Sequence, residues 1–136
     1  RIYGRRGFVQ HQCVIPDAAA KDVLGELLDR MSARGTGSFL AVLKHLRHGS
    51  GLMSFPMDGF TLALDLPVSR NTLALLDEID GLVAAAGGRL YLAKDARQSR
   101  ETLEAGYPNL ERFRQLRRET GSDRHISSKL SERLGL

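Results

Sequence analysis

The chain has 136 residues, of which 42% are hydrophobic and 26% charged, and its formal net charge is +4. That length suits one domain with a core buried without staples, and the composition excludes wholesale disorder. Cys13 is the one cysteine, so an internal disulfide is excluded and a reducing compartment is favoured; no apolar run nears the ~20 residues that span a bilayer, nothing reads as a secretory signal, and the expected location is cytoplasmic.

In chain order, Phe8 to Ile15 reads as a strand closed by Pro16. Asp17 is then expected to cap a helix whose apolar stripe is Ala20, Val23, Leu24, Leu27, Leu28 and Met31, ending at Gly35. Ser38 to Leu46 is β-prone and almost continuously apolar up to Lys44, the pattern of an interior strand. His48 to Met53 is loop by composition. Phe60 to Leu66 alternates cleanly and stops at Pro67. Ser69 or Asn71 caps a second helix carrying Thr72, Leu75, Leu76, Ile79, Leu82, Val83 and Ala86, with Gly87-Gly88 as its stop, and Arg89 to Lys94 is the fourth strand.

The order β-α-β-β-α-β with two helices of similar length predicts an α+β, ferredoxin-like split βαβ fold: an antiparallel sheet with both helices on one face. After Arg97 the pattern turns helical, over Ser99 to Tyr107, Asn109 to Thr120 and roughly Asp123 to Leu134. These stripes are thin, as in helices that pack on a neighbour. The expected division is residues 1–97 as a substrate-binding cap domain and 98–136 as a helical segment. Basic residues gather at both ends: Arg1, Arg5 and Arg6, then Arg112, Arg114, Arg117, Arg118, Arg124, Lys129 and Arg133. They read as a solvated or docking face, with a phosphate or anionic-lipid contact as the alternative. Nucleic acid is disfavoured, because no aromatic stacking motif is interleaved with the charge.

The third strand sends Phe60, Leu62, Leu64 and Leu66 to one face and Thr61, Ala63 and Asp65 to the other. That second face is either plain solvent-facing sheet or a surface where a ligand can approach. Lys44 and His45 stand at the end of the second strand, and Tyr91, Lys94 and Asp95 at the end of the fourth. These strands run in opposite directions, so spacing alone assembles no site. His11, His45, His48 and His125 lack metal-ligand spacing, and no metal is expected. Ser50 and Ser54 lack the setting of an activated nucleophile, and Gly35-Thr36-Gly37 and Gly49-Ser50-Gly51 are too short and glycine-poor for a phosphate cradle.

Five blocks occur in an order shared with one known family: Gln12-Cys13-Val14-Ile15-Pro16; Phe39 to Lys44; Leu52 to Phe60 followed by Leu64-Asp65-Leu66-Pro67; Gly87-Gly88-Arg89-Leu90-Tyr91-Leu92-Ala93-Lys94-Asp95; and Tyr107-Pro108 followed by Arg117-Arg118. From about Gln10 to Leu134 the chain resembles the FAD-linked oxidases of sugars and aldonolactones, relatives of the vanillyl-alcohol-oxidase flavoproteins, and within them the decaprenylphosphoryl-β-D-ribose 2′-oxidase group. The resemblance implies the C-terminal portion of a longer enzyme, which fits a chain that begins Arg1-Ile2 without an initiator methionine. It implies that Lys94 is catalytic and reaches the flavin with Tyr91, that Gln12, Lys44, Thr61, Ala63 and Tyr91 line the substrate pocket, and that residues 98–136 pack on an N-terminal FAD-binding domain.

The implied substrate is a sugar or a lipid-linked sugar, as in the decaprenylphosphoryl-ribose oxidases or in D-arabinono-1,4-lactone oxidase, with peripheral contact to a membrane surface as a further implication. Three departures stand out. Thr61 replaces an asparagine of the group, Ala63 replaces a cysteine of its best-known members, and Ser122-Asp123-Arg124-His125 replaces an Asp-Pro turn. A free-standing ferredoxin-like binding or regulatory module is the alternative reading.

Overall fold

Strand β1 (Phe8–Pro16) runs directly into helix α1 (Asp17–Ala33), followed by β2 (Leu40–Leu46), β3 (Gly59–Pro67), α2 (Arg70–Ala85) and the two-residue β4 (Arg89–Leu90). A 3-10 turn at Leu92–Lys94 leads to α3 (Arg100–Gly106), α4 (Leu110–Thr120), α5 (Ser122–His125) and α6 (Lys129–Leu134). This computed structural model describes residues 5–136, so Arg1 of the basic N-terminal group lies outside the described residues. The strands form one antiparallel sheet in the order β2-β3-β1-β4. That is the expected ferredoxin-like arrangement, with α1 and α2 on one face.

The helix ends follow their residue chemistry. The Ser69 hydroxyl accepts from the Thr72 amide at 3.0 Å and caps α2. At the far end Gly87 takes φ 74°, which lets the Gly88 amide return to the Val83 carbonyl and the Gly87 amide to Ala84. This is the paired closure that satisfies the last carbonyls of a helix. Asp17 does not cap α1, because Pro16 occupies the cap position without a side-chain bond. The Asp17 carboxylate instead bonds His45 Nε2 across to β2 at 2.8 Å.

Alternation in the strands decides the core. Val9, Cys13 and Ile15 of β1 and Leu62, Leu64 and Leu66 of β3 pack against Val23, Leu27 and Met31 of α1 and Leu75, Leu76, Ile79 and Val83 of α2. Each fully buried Leu or Ile here contributes roughly 1.5–3 kcal/mol of burial free energy. A polar element crosses this layer: His11 Nε2 meets Asp80 Oδ1 of α2 at 2.9 Å, and Arg97 Nη2 donates to Asp80 Oδ2 at 2.8 Å. Gly59 and Gly88 are required by close approach, since a Cβ would lie 2.1 Å from the Ile15 carbonyl oxygen and 2.5 Å from that of Val14.

Three further expectations are corrected. Strand β2 is an edge strand, with Leu40 and Leu43 more than half exposed; an unbroken apolar run does not distinguish an edge from an interior position. Strand β4 ends at Leu90, because the chain leaves the ladder after Tyr91 donates its amide to the Gln12 carbonyl at 2.8 Å. The last helix is broken at Ile126–Ser128, where Ser128 and Ser131 form a reciprocal capping box that starts α6 afresh.

A second apolar cluster joins Leu103, Tyr107, Leu110 and Leu134 with Met53, Leu92, Leu130 and Leu136. The Tyr107 hydroxyl donates to the Leu90 carbonyl at 2.6 Å, and burial pushes its pKa up to about 12. Asp95 is the clasp of the C-terminal segment. Its Oδ1 accepts from the Arg97 and Gln98 amides at 2.9 and 2.7 Å, and its Oδ2 pairs with Arg133 at 2.8 Å. Much of the basic tail is spent internally in the same way, Arg114 on Glu104 and Arg118 on Glu111.

Candidate functional site

The register places Gln12, Ala63 and Val42 in one row across β1, β3 and β2, and Val14, Thr61 and Lys44 in the next. Directly opposed residues share a face. These rows therefore lie on the side away from α1 and α2, opposite Cys13, Leu62 and Leu64. The small side chains Ala63 and Val42 leave a depression in that face. Gln12, Val42, Lys44, Thr61, Ala63 and Lys94 line it, enclosing about 140 Å³.

Of the residues singled out in sequence, Gln12, Lys44, Thr61, Ala63 and Lys94 meet in this cleft. Tyr91 stands beside it. It shares a smaller recess with Gln12 and Lys94 and stacks its ring on Phe55 at 4.6 Å between centroids. Lys44 and Lys94 reach the cleft from strands of opposite direction because Lys94 is carried past the end of β4 on the 3-10 turn. Lys44 is the fifth residue of β2 rather than its last, on the row of Thr61. Val42 was not singled out in sequence; its only signal was its place two residues before Lys44. Asp95, grouped with Lys94 by proximity, turns inward to Arg133.

The cleft's hydrogen bonding is largely set by one proton. The Thr61 hydroxyl donates to the Cys13 carbonyl at 2.8 Å. A hydroxyl has a single proton, so Thr61 must accept from Gln12 Nε2, 3.1 Å away. The Gln12 amide is thereby oriented, with its NH2 group at Thr61 and its oxygen left for another donor. Gln10 makes a parallel contact one row on, donating to Asp65 at 2.9 Å. Thr61 is thus a positioner of Gln12 as much as a lining residue.

Two ammonium groups face this space with no carboxylate among the six lining residues. Neither Lys44 nor Lys94 has an ion pair among the described residues. Like charges around one cleft favour an anionic or oxygen-rich ligand between them. Behind the sheet, Cys13 is fully buried, and desolvation pushes its thiol up to about 12. The thiol belongs to the core between the sheet and α1 and α2 and does not line the cleft.

Lys94 also borders a larger, more open groove of about 590 Å³ whose walls join Phe8, Val9, Val68, Leu73 and Ala93 to Gln10, Asp95 and Arg97. Lys94 thus stands where a polar cleft meets a groove with one apolar wall. Among the described residues, no helix is long and apolar enough to cross a membrane.

No family model matches the chain. It is 42% identical over 132 residues to an uncharacterized protein in the mprA 5′ region of Streptomyces coelicolor, covering 96% of this chain and 36% of that protein. It is 35% identical over 137 residues to the decaprenylphosphoryl-beta-D-ribose oxidase of Mycolicibacterium smegmatis, covering 100% of this chain and 30% of that oxidase. The chain spans about a third of the length of the curated relatives it matches. Along its whole length, then, the chain is similar to part of an oxidase.

Proposed function

We propose that this chain is the C-terminal, substrate-side part of an FAD-dependent oxidoreductase that oxidises a sugar carbinol by hydride transfer to the flavin. The observation that carries the reading is the cleft on the open sheet face, where Lys44, Lys94 and the oriented Gln12 converge, taken with similarity to an oxidase along the whole chain. The donor set fits both groups. Two ammonium side chains without carboxylate partners suit electron-rich, oxygen-bearing ligands, and Ala63 leaves room for a ring to approach the sheet.

When bound, FAD would supply the acceptor for two electrons and a hydride; Lys94 and Tyr91 would hold it at the edge of the cleft. The protein's own residues do the rest. Lys94 places a fixed positive charge where negative charge gathers as the carbinol is oxidised, the form of catalysis that costs no reorganisation during the reaction. Lys44 donates to a sugar oxygen, and the free oxygen of Gln12 accepts from a sugar hydroxyl. As hydride leaves carbon, the hydroxyl proton leaves oxygen and a carbonyl forms. With no carboxylate or histidine lining the cleft, that proton departs to water or to a group on the facing domain.

The substrate we favour is a pentofuranose linked through phosphate to a lipid, with an aldonolactone such as D-arabinono-1,4-lactone as the near alternative. The apolar wall of the groove next to Lys94, made by Phe8, Val9, Val68 and Leu73, supports a substrate with an apolar part. Helices α3 to α6 would pack on an N-terminal FAD-binding domain, and the unpaired basic residues of the tail would sit against an anionic membrane surface. The test is anaerobic mixing of the full-length, flavin-loaded protein with each substrate. Bleaching of the flavin by the lipid-linked sugar is expected; bleaching by the lactone alone would move the assignment to the lactone. If the purified full-length protein carries no flavin, the reading fails.

A further inference from the structure

A second cavity lies on the same side of the sheet, away from the cleft. It encloses about 350 Å³ between the loop that follows β2 and the junction of α3 and α4, and His48, Gly49, Ser50, Ser54, Arg89 and Asn109 are among its walls. The row containing Lys44, Thr61 and Val14 ends at Arg89 of β4. With strands spaced ~4.8 Å apart, Arg89 and Lys44 stand three strand spacings from each other. The cavity is therefore a separate place and not an extension of the cleft.

Arg89 is a guanidinium held partly out of water with no carboxylate paired to it among the described residues. Its Nη1 donates to the Ser54 carbonyl at 2.8 Å, and its charge lies over the Tyr107 ring at 5.3 Å. Its Nε is buried with no hydrogen-bond partner. No carboxylate lines the cavity. Desolvation accordingly lowers the Arg89 pKa from its ordinary value. A cation so placed costs free energy until a counter-charge reaches it.

The surroundings add donors and no competing acceptor with charge. Asn109 precedes the eleven-residue α4 and makes no side-chain capping bond, so its side chain is open to a ligand, while the first amide of the helix, that of Leu110, is already given to the Tyr107 carbonyl. The acidic residue of the first turn, Glu111, is turned away onto Arg118 at 2.8 Å. Two of the loop's own amides are already used, Gly49 on Pro56 and Ser54 on Gly51. A backbone cradle is thus not what would hold the ligand; side chains from three separate segments would.

We propose that this cavity is an anion subsite that takes a phosphate group, with Arg89 as its charge and the side chains of Asn109 and Ser54 as its further donors. The inference is independent of the flavin reading, because it concerns binding alone. The experiment is calorimetric titration of the full-length protein with pyrophosphate at fixed ionic strength, on the native protein and on Arg89→Gln, Arg89→Lys, Asn109→Asp and Lys21→Met. Removing one charge-assisted contact should weaken binding about tenfold or more in Arg89→Gln, with partial recovery in Arg89→Lys.

Asn109→Asp keeps the helix start intact, since a carboxylate is favourable there, yet it should weaken pyrophosphate binding to a similar degree. It thereby tests the site even if Arg89→Gln fails to fold. Lys21→Met, which removes an exposed charge on α1, should bind within twofold of the native protein. Retention of native affinity in both Arg89→Gln and Asn109→Asp would overturn the proposal. Vesicles containing an anionic phospholipid, run beside a soluble phosphate ester, separate a lipid headgroup from a free phosphate as the natural source.

Discussion

The two faces of the sheet are made by the same strands and differ in almost every physical property. On the helix side Cys13, Leu62, Leu64 and Leu66 are sealed by α1 and α2, and the one thiol of the chain is held protonated by burial. On the open side Gln12, Ala63, Lys44 and Lys94 surround a cleft whose charges have no partner in the described chain. The contrast shows what a period-two strand can do: one set of positions is spent on stability, and the interleaved set is left for chemistry. A substitution on either face should therefore move one property and leave the other.

The largest contrast is in thiol reactivity. Ala63→Cys puts a thiol in the cleft near two ammonium groups, a setting that favours the thiolate. Its rate with a disulfide reagent at pH 8 should exceed that of Cys13 in the native protein by about 100-fold or more. Equal rates would mean that the sealed face opens readily. Next is the core itself. Leu76→Ala on α2 removes a fully buried side chain and should cost about 2–5 kcal/mol in urea unfolding, whereas Lys44→Met in the cleft should change stability by no more than about 0.5 kcal/mol.

A smaller effect comes from alkaline pH. Cys13 and Tyr107 both hold their protons up to about pH 12 in the folded chain. The unfolded chain releases them near the ordinary values of 9.0 and 10.0, so in this range the unfolded state binds fewer protons. Unfolding free energy should be fully retained below pH 9 and fall progressively as pH rises toward 12. Urea midpoints at pH 8 and pH 10.5 measure this, and Tyr107→Phe should make the fall shallower. A midpoint independent of pH would contradict the sealed environment of both groups.

How legible each part was depends on whether it is a local or a register property. β1, α1, β3 and α2 could be read directly, since the stripe from Ala20 to Met31 and the alternation from Phe60 to Leu66 are fixed within a few residues. The edge position of β2 could not, because Phe39 to Leu43 is as apolar as an interior strand would be. Nor could the early end of β4, which depends on where Tyr91 leaves the ladder. The break before α6 rests on Ser128 and Ser131, whose capping spacing lies inside an otherwise helical pattern.

The cleft was half legible. Alternation put Thr61 and Ala63 on the open face, and family resemblance named their companions. Only the pairing of three strands and the 3-10 turn after Leu90 bring Lys94 to Lys44. The cavity around Arg89 was illegible in sequence, as its walls come from residues 48–56, Arg89 and Asn109, joined by tertiary packing alone.

The most direct test of the central claim is Lys94→Met in the full-length, flavin-loaded protein, with anaerobic flavin reduction by the lipid-linked sugar followed in a stopped-flow instrument. The account predicts a reduction rate lower by about 100-fold or more, with an unchanged melting temperature because Lys94 has no partner to lose. A rate equal to that of the native protein would contradict the role given to Lys94 and to the open face of the sheet.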